Sequence, residues 1–170
     1  SSWKPTLGVQ MVLLQDNIST AIDLCKRMQD MGVDYLTLKP FVQHPDQRMK
    51  ADTLKLEDID ALLTEAESFS TPSFRVVARR DSFSKYGKRG YGRCLGLPFF
   101  AFVLSDGSVY TCGPYYGNMD HCYGNIHAQP FEDIWRGKRR RDILDRVEKG
   151  DFDCSKCMSN CRPDEVNRYL

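Results

Sequence analysis

The chain has 170 residues, with 24 lysines and arginines against 23 aspartates and glutamates, and seven cysteines. That length suits one medium domain or two small ones with a real core, and the near balance of charge gives no bulk attraction to nucleic acid or an anionic membrane. No apolar run is long enough to span a bilayer and Ser1-Ser2-Trp3 carries no secretory signal, so a cytoplasmic location with neither nucleic acid nor membrane as partner is expected.

Residues 7–14 read as a buried strand closed by the turn-like Gln15-Asp16-Asn17. Over 18–31, Ile22, Cys25, Met28 and Met31 recur at steps of three and four, which predicts a helix, capped by Ser19 and ended by Gly32. Residues 33–38 form a second strand, so this β-α-β unit implies two parallel strands with a right-handed crossover. A long polar loop follows over 39–55, with Pro40 and Pro45 excluding regular structure at its start. Helical periodicity returns over 56–69 through Ile59, Leu62, Leu63 and Ala66, and 74–78 is a third strand. Such near-continuous apolar strands should be covered on both faces. Three of them cannot close a barrel, so the chain is expected to be the C-terminal piece of a larger protein or to pack on a partner.

The polar, glycine-bearing stretch 80–93 reads as a domain boundary, which divides the chain into 1–90 and 91–170. Beyond it, strands over 99–104 and 109–112 are joined through Ser105-Asp106-Gly107-Ser108, where Asp-Gly is a strong hairpin signal. A helical segment opens over 131–135, resumes through Ile143, Leu144 and Val147, and stops near Gly150. The run Lys138-Arg139-Arg140-Arg141 reads as a solvated helix face. Pro163 is pre-organised to begin a last helix. Phe99, Phe100, Phe102, Tyr110 and Trp135 are expected in the small domain's core, Cys25 in the core of the first helix, and His121 and His127 in structural or solvated positions. Asn17, Lys39, Gln43, His44 and Arg79 follow strand ends, where parallel α/β architectures bind ligands, and are candidates for holding an anionic group of a substrate.

An odd cysteine count and the missing signal fit a disulfide framework poorly. Six cysteines fall between 94 and 161, three of them as Cys154-x2-Cys157-x3-Cys161. Thiolates converging from Cys94, Cys112, Cys122, Cys154, Cys157 and Cys161 could complete a tetrahedral zinc site or a [4Fe–4S] cluster, and spacing alone does not separate the two. A thiol redox role for Cys154-x2-Cys157 is a third possibility, although its surroundings are not thioredoxin-like.

Cys94-x12-Gly107-x4-Cys112, then Tyr123-Gly124-Asn125-Ile126, Phe131-Glu132-Asp133-Ile134-Trp135 and Cys157-x3-Cys161-Arg162, resemble the auxiliary-cluster domain of radical S-adenosylmethionine (AdoMet) enzymes. That domain is called SPASM, or twitch in its shortened form. Gly32-Val33-Asp34-Tyr35 leading to Lys39-Pro40-Phe41-x2-His44-Pro45 is similar to the last strands of the same enzymes' partial TIM barrel. The resemblance implies an α/β fold, with the end of a partial barrel followed by a small α+β domain on a β-hairpin. It also favours an auxiliary [4Fe–4S] cluster over zinc, acting in electron transfer or substrate positioning. Cys94, Cys112, Cys157 and Cys161 match its ligand positions, with Cys154 and Cys122 as alternates. The turn before Pro163 would favour an anionic cluster, while Asp151 and Asp153 beside Cys154 would disfavour another thiolate. The full-length enzyme would hold AdoMet and a second [4Fe–4S] cluster in a missing N-terminal barrel portion. It would use an electron donor and act on a small-molecule or peptide substrate. Two departures stand out. The cysteine triplet runs in the opposite order to the Cys-x3-Cys-x2-Cys of the AdoMet cluster, and a full SPASM motif has seven cysteines where this stretch has six, so one cluster is expected.

Overall fold

A computed structural model describes residues 4–44, 52–151, 154, 157, 158 and 160–170. The chain divides into two units, Ser1–Gln43 with Arg48–Tyr86, and His44–Gln47 with Gly87–Leu170. Pro45 and most of the loop expected after it lie outside the described residues. Among the described residues no helix is long and apolar enough to cross a membrane.

The first unit holds β1 (Gly8–Leu13), α1 (Ala21–Asp30), β2 (Tyr35–Pro40), α2 (Leu56–Ser68), β3 (Arg75–Ala78) and α3 (Arg80–Ser84). Its sheet is parallel throughout, in the order β1-β2-β3, with Gly8 opposite Tyr35 and Tyr35 opposite Arg75. Each crossover adds its strand on the same side. Leu13, Leu36, Leu38 and Val76 pack with Ala21 and Cys25 of α1 and Ile59, Leu63 and Ala66 of α2 in one core. Burial therefore alternates along β2 instead of running continuously. Leu36, Leu38 and Pro40 are buried, while Tyr35, Thr37 and Lys39 are not. Among the described residues of this unit, α1 and α2 both pack on one side of the sheet.

Several boundaries differ from the sequence reading, each for a local reason. The first helix begins with a 3-10 turn, Ile18–Thr20, and Ser19 makes no cap. The entry is fixed by Asn17, whose Oδ1 accepts from the Leu14 N–H at 2.9 Å and whose Nδ2 donates to the Val12 carbonyl. Met31 falls past the last helical turn and is exposed rather than on the buried stripe. Pro40 and Lys39 belong to β2 rather than to the loop. Leu38 bonds the Arg79 N–H on the β3 side, and residues two apart face the same side of a strand. Pro40 thus presents its missing N–H where β3 has already ended, a position at which proline is tolerated. The stretch after β3 opens with α3, which the polar composition hid: Phe83 is buried in the core, and Arg80 pairs with Asp60 and Glu67 of α2.

The second unit is built on an antiparallel sheet, β4 (Phe102–Val103), β5 (Ser108–Tyr110) and β6 (Cys122–Asn125), followed by α4 (Phe131–Arg136), α5 (Lys138–Glu148) and α6 (Asp164–Tyr169). The expected hairpin is present but shorter, because Pro98 lies in a 3-10 turn over Leu97–Phe99 that delays the extended chain. That turn buries Leu97 and leaves Phe99 69% exposed, so Phe99 is not a core residue. Gly107 has φ +78°, and a Cβ there would lie 2.5 Å from His127 Cδ2, which explains glycine at this turn. Asn125 secures the same turn by donating to the Asp106 carbonyl at 2.9 Å. The segment between the hairpin and α4 contains β6, with Cys122 opposite Tyr110 across an irregular register.

The basic run on α5 is not simply solvated. Arg139 donates to the Cys122 and Met119 carbonyls, and Arg140 stacks 3.6 Å from the Trp135 ring centroid while donating to the Pro98 carbonyl. Two cores result: Val109, Tyr123, Ile134 and Ile143 form one, and Cys94, Leu97, Cys112, Val147 and Cys154 form the other.

Leu63 is fully buried and Met31 73% exposed. In urea unfolding, Leu63→Ala should lower stability by about 2–5 kcal/mol, the range for a buried large-to-small change. Met31→Ala should stay within about 0.5 kcal/mol.

Candidate metal centre

The cysteine-rich core borders a cavity of about 390 Å³ within the second unit. Cys94, Cys112, Cys154, Cys157 and Cys161 all line it, together with Arg89, Tyr91, Phe102, Tyr116 and Asn167. Different elements carry these cysteines. Cys94 precedes the 3-10 turn at Leu97, Cys112 follows β5, and Cys157 and Cys161 lie in the segment entering α6. Asn160 adopts φ +53°, a left-handed conformation that asparagine tolerates, just before Cys161. Gly96 brings the first turn close to the last helix, since a Cβ there would lie 3.0 Å from Pro163 Cβ and 3.1 Å from the Pro163 carbonyl oxygen.

Cys122 is buried but sits elsewhere, donating from Sγ to the Gly124 carbonyl at 3.5 Å. Cys25 is fully buried in the first unit's core. Among the described residues the cysteines form no disulfide, and no three His, Cys, Asp or Glu side chains gather tightly enough to hold a single metal ion. The thiols instead surround a space at the lower end of the roughly 300–1,000 Å³ typical of ligand pockets.

Two residues that sequence reasoning passed over hold this arrangement. Arg89 donates to the carbonyls of Cys154, Cys157 (2.8 Å) and Met158, so one guanidinium fixes three points of the cysteine segment. Asn167, on α6, accepts from the Gly96 N–H at 2.7 Å and donates to Cys94 Sγ at 3.3 Å. Beside them, the Tyr91 hydroxyl donates to Asp164 at 2.7 Å, and Asp164 pairs with Arg168 at 3.2 Å. α6 has only six residues and carries Asp164 and Glu165 in its first turn, so Arg89 is the clearer source of positive charge.

The thiols differ in acidity. Cys157 is hydrogen-bonded by Cys161, and with the charge of Arg89 nearby its thiol falls to about 7 despite burial. That same bond, followed by burial, pushes Cys161 well above the ordinary cysteine range, so the pair readily gives up one proton and holds the other. Burial pushes Cys112 up to about 12, with the Cys157 charge adding to it. Burial also raises Cys94, partly offset by the Asn167 amide.

The strand-end candidates are placed differently. Asn17 serves the turn after β1. Lys39 Nζ donates to Gln10 Oε1 at 2.7 Å, the Gln43 N–H reaches the Tyr86 hydroxyl at 3.3 Å, and Arg79 is exposed at the start of α3. His44 groups with the second unit and lines its cavity.

Residues 94–162 match the family model of SPASM, an iron-sulfur cluster-binding domain. The matched segment begins at Cys94 and ends just past Cys161, so it contains all five cavity-lining cysteines. The comparisons with curated proteins and with solved structures give no match. The match agrees with the SPASM or twitch resemblance of the motifs and assigns iron–sulfur cluster binding to this segment. The donor set fits such a group: several thiols around one cavity, one of them acidic, with a guanidinium to offset negative charge.

In the metal-free chain, the acidic Cys157 should be the first of these cysteines alkylated by iodoacetamide. Its rate should rise as the thiolate forms, at a lower pH than for an ordinary cysteine, whereas Cys112 should stay unreactive until far more alkaline conditions. Mass-spectrometric mapping of modified sites against pH reads this directly. Equal rates for the two at pH 8 would contradict it.

Proposed function

We propose that this chain is the C-terminal portion of a radical AdoMet enzyme and binds one auxiliary [4Fe–4S] cluster through Cys94, Cys112, Cys157 and Cys161. The observation that carries the proposal is the gathering of these four thiols, with Cys154, around one cavity inside the segment matched by the SPASM family. Zinc is the weaker reading, because tetrahedral zinc at about 2.3 Å from each sulfur needs ligands that converge on one point. These thiols are spread round a larger space. Cys154 remains the alternate ligand, since it shares the cavity, whereas Cys122 does not.

The first unit's architecture supports the barrel half of the proposal. Three parallel strands in sequence order, with both helices on one face, wind in a single direction as in a (β/α) barrel rather than doubly as in dinucleotide-binding folds. Its other face carries Tyr35, Thr37 and Lys39 in partly open positions, as expected of a surface that faces a barrel interior. Missing strands from an N-terminal portion would pair with the open edges and supply the AdoMet-binding cluster. Lys39 and Arg79, at the carboxyl ends of β2 and β3, would there meet an anionic part of a small-molecule or peptide substrate, with Gln43 and His44 nearby in sequence.

In this setting the bound cluster supplies one-electron chemistry. Four protein thiolates would leave no iron open and favour electron transfer, with an external donor. Three would leave a position for substrate. The chain's own residues have other tasks: Arg89 fixes the cysteine segment, and the apolar wall of Leu97, Phe102 and Pro114 limits water.

Single replacement of each of the six C-terminal cysteines by alanine, followed by anaerobic reconstitution and assay of iron and sulfide, tests the ligand set. Cys94→Ala, Cys112→Ala, Cys157→Ala and Cys161→Ala should each lose most of the cluster, while Cys122→Ala and Cys154→Ala keep it. Loss in Cys154→Ala with retention in Cys157→Ala would make Cys154, not Cys157, the ligand from the triplet and overturn this ligand set.

A further inference from the structure

We propose that Asn167 is a positioning residue for the Cys94 thiolate and that its N–H···S hydrogen bond raises the reduction potential of the cluster this sulfur would hold. The inference rests on the iron–sulfur reading above and concerns what tunes the group, not whether it binds.

The amide's orientation is forced by its partners. Oδ1 faces the Gly96 backbone N–H, which can only donate, so the NH2 end must face Cys94 Sγ. One of its hydrogens meets the sulfur, and the same amide lies near the Tyr91 hydroxyl. That hydroxyl donates onward to Asp164, which is itself paired with Arg168. Asn167 and Asp164 are 5% and 2% exposed, so water does not compete for these bonds.

The distance is equally constrained. Gly96 lies two residues after Cys94, and α6 begins against it with no room for a side chain between Gly96 and Pro163. One amide therefore grips both the backbone and the sulfur of a single turn. A position that only braced the fold would need the Gly96 bond. The additional donor aimed at a sulfur in the cavity wall is what points to the ligand.

The direction of the effect follows from charge. Reduction adds one electron to the cluster, and that density is shared with its thiolates. A hydrogen-bond donor to a thiolate stabilises the more negative state, so the potential rises. Without the donor, the potential falls.

Asn167→Leu removes the donor at similar volume. Asn167→Asp removes it while retaining an acceptor for the Gly96 N–H, so it preserves the brace should the leucine variant fail to fold; its added negative charge also lowers the midpoint, so it should show the larger fall of the two. The full chain and both variants are reconstituted anaerobically, assayed for iron and sulfide, and titrated with dithionite through redox mediators. The proposal expects iron and sulfide per chain equal to the unmodified protein, with a more negative midpoint in every variant that folds. An unchanged midpoint in a fully loaded variant would overturn it. So would loss of iron and sulfide from a folded Asn167→Leu, which would make the amide a brace for the ligand rather than a tuner. A failure of the unmodified chain to take up iron and sulfide would overturn the iron–sulfur reading itself, and this inference with it.

Discussion

Five thiols around one cavity, Cys94, Cys112 and Cys154 buried and Cys157 and Cys161 half-buried, are the constraint on which the second unit depends. Thiolates are the ligand form, yet burial pushes Cys94 and Cys112 toward the neutral thiol, and each charge formed on Cys157 makes its neighbours harder to ionise. Only a cation placed among them reverses that balance, and metal uptake would accordingly release protons. Cys94, Cys112 and Cys154 are also a substantial part of the core, sharing it with Leu97 and Val147. In so small a unit, binding at the cavity and stabilising the fold become one process.

The remaining features of the unit serve this arrangement. The Asp106-Gly107 turn and Asn125 hold the hairpin that precedes Cys112, and Arg139 ties α5 to β6 through the Cys122 carbonyl. Gly96 lets the last helix press on the turn after Cys94, while Arg89 gathers the segment carrying Cys154 and Cys157 from the other side in sequence. Motif residues outside the cysteines thus have mechanical roles, which accounts for their occurrence in one spaced pattern.

Much of this was legible from the residues alone. Apolar residues at steps of three and four located α2, the Asp-Gly pair located the hairpin, and five of the six C-terminal cysteines singled out in the sequence line the cavity, Cys122 being the exception. Features set by tertiary contact were not. Phe83 looked like part of a polar linker because its neighbours are charged, and Phe99 looked like core because a 3-10 turn cannot be read from one proline. Pro40 as a strand residue depends on where β3 happens to end. Arg89 and Asn167 lie in polar stretches, and their partners are backbone carbonyls and a sulfur distant in sequence. A weak sign existed for the last helix: Asp164 and Asn167 are three apart and so share a face, but polar residues at that spacing ordinarily read as solvated.

The central claim is that this cavity holds iron and sulfide rather than a lone structural ion. The most direct measurement is metal and acid-labile sulfide analysis of the chain isolated anaerobically from iron-replete cells, combined with Mössbauer spectroscopy. One auxiliary cluster requires a brown protein with roughly four irons and four sulfides per chain, in the spectral state of a single [4Fe–4S] cluster. A colourless protein with one zinc and no sulfide would contradict it.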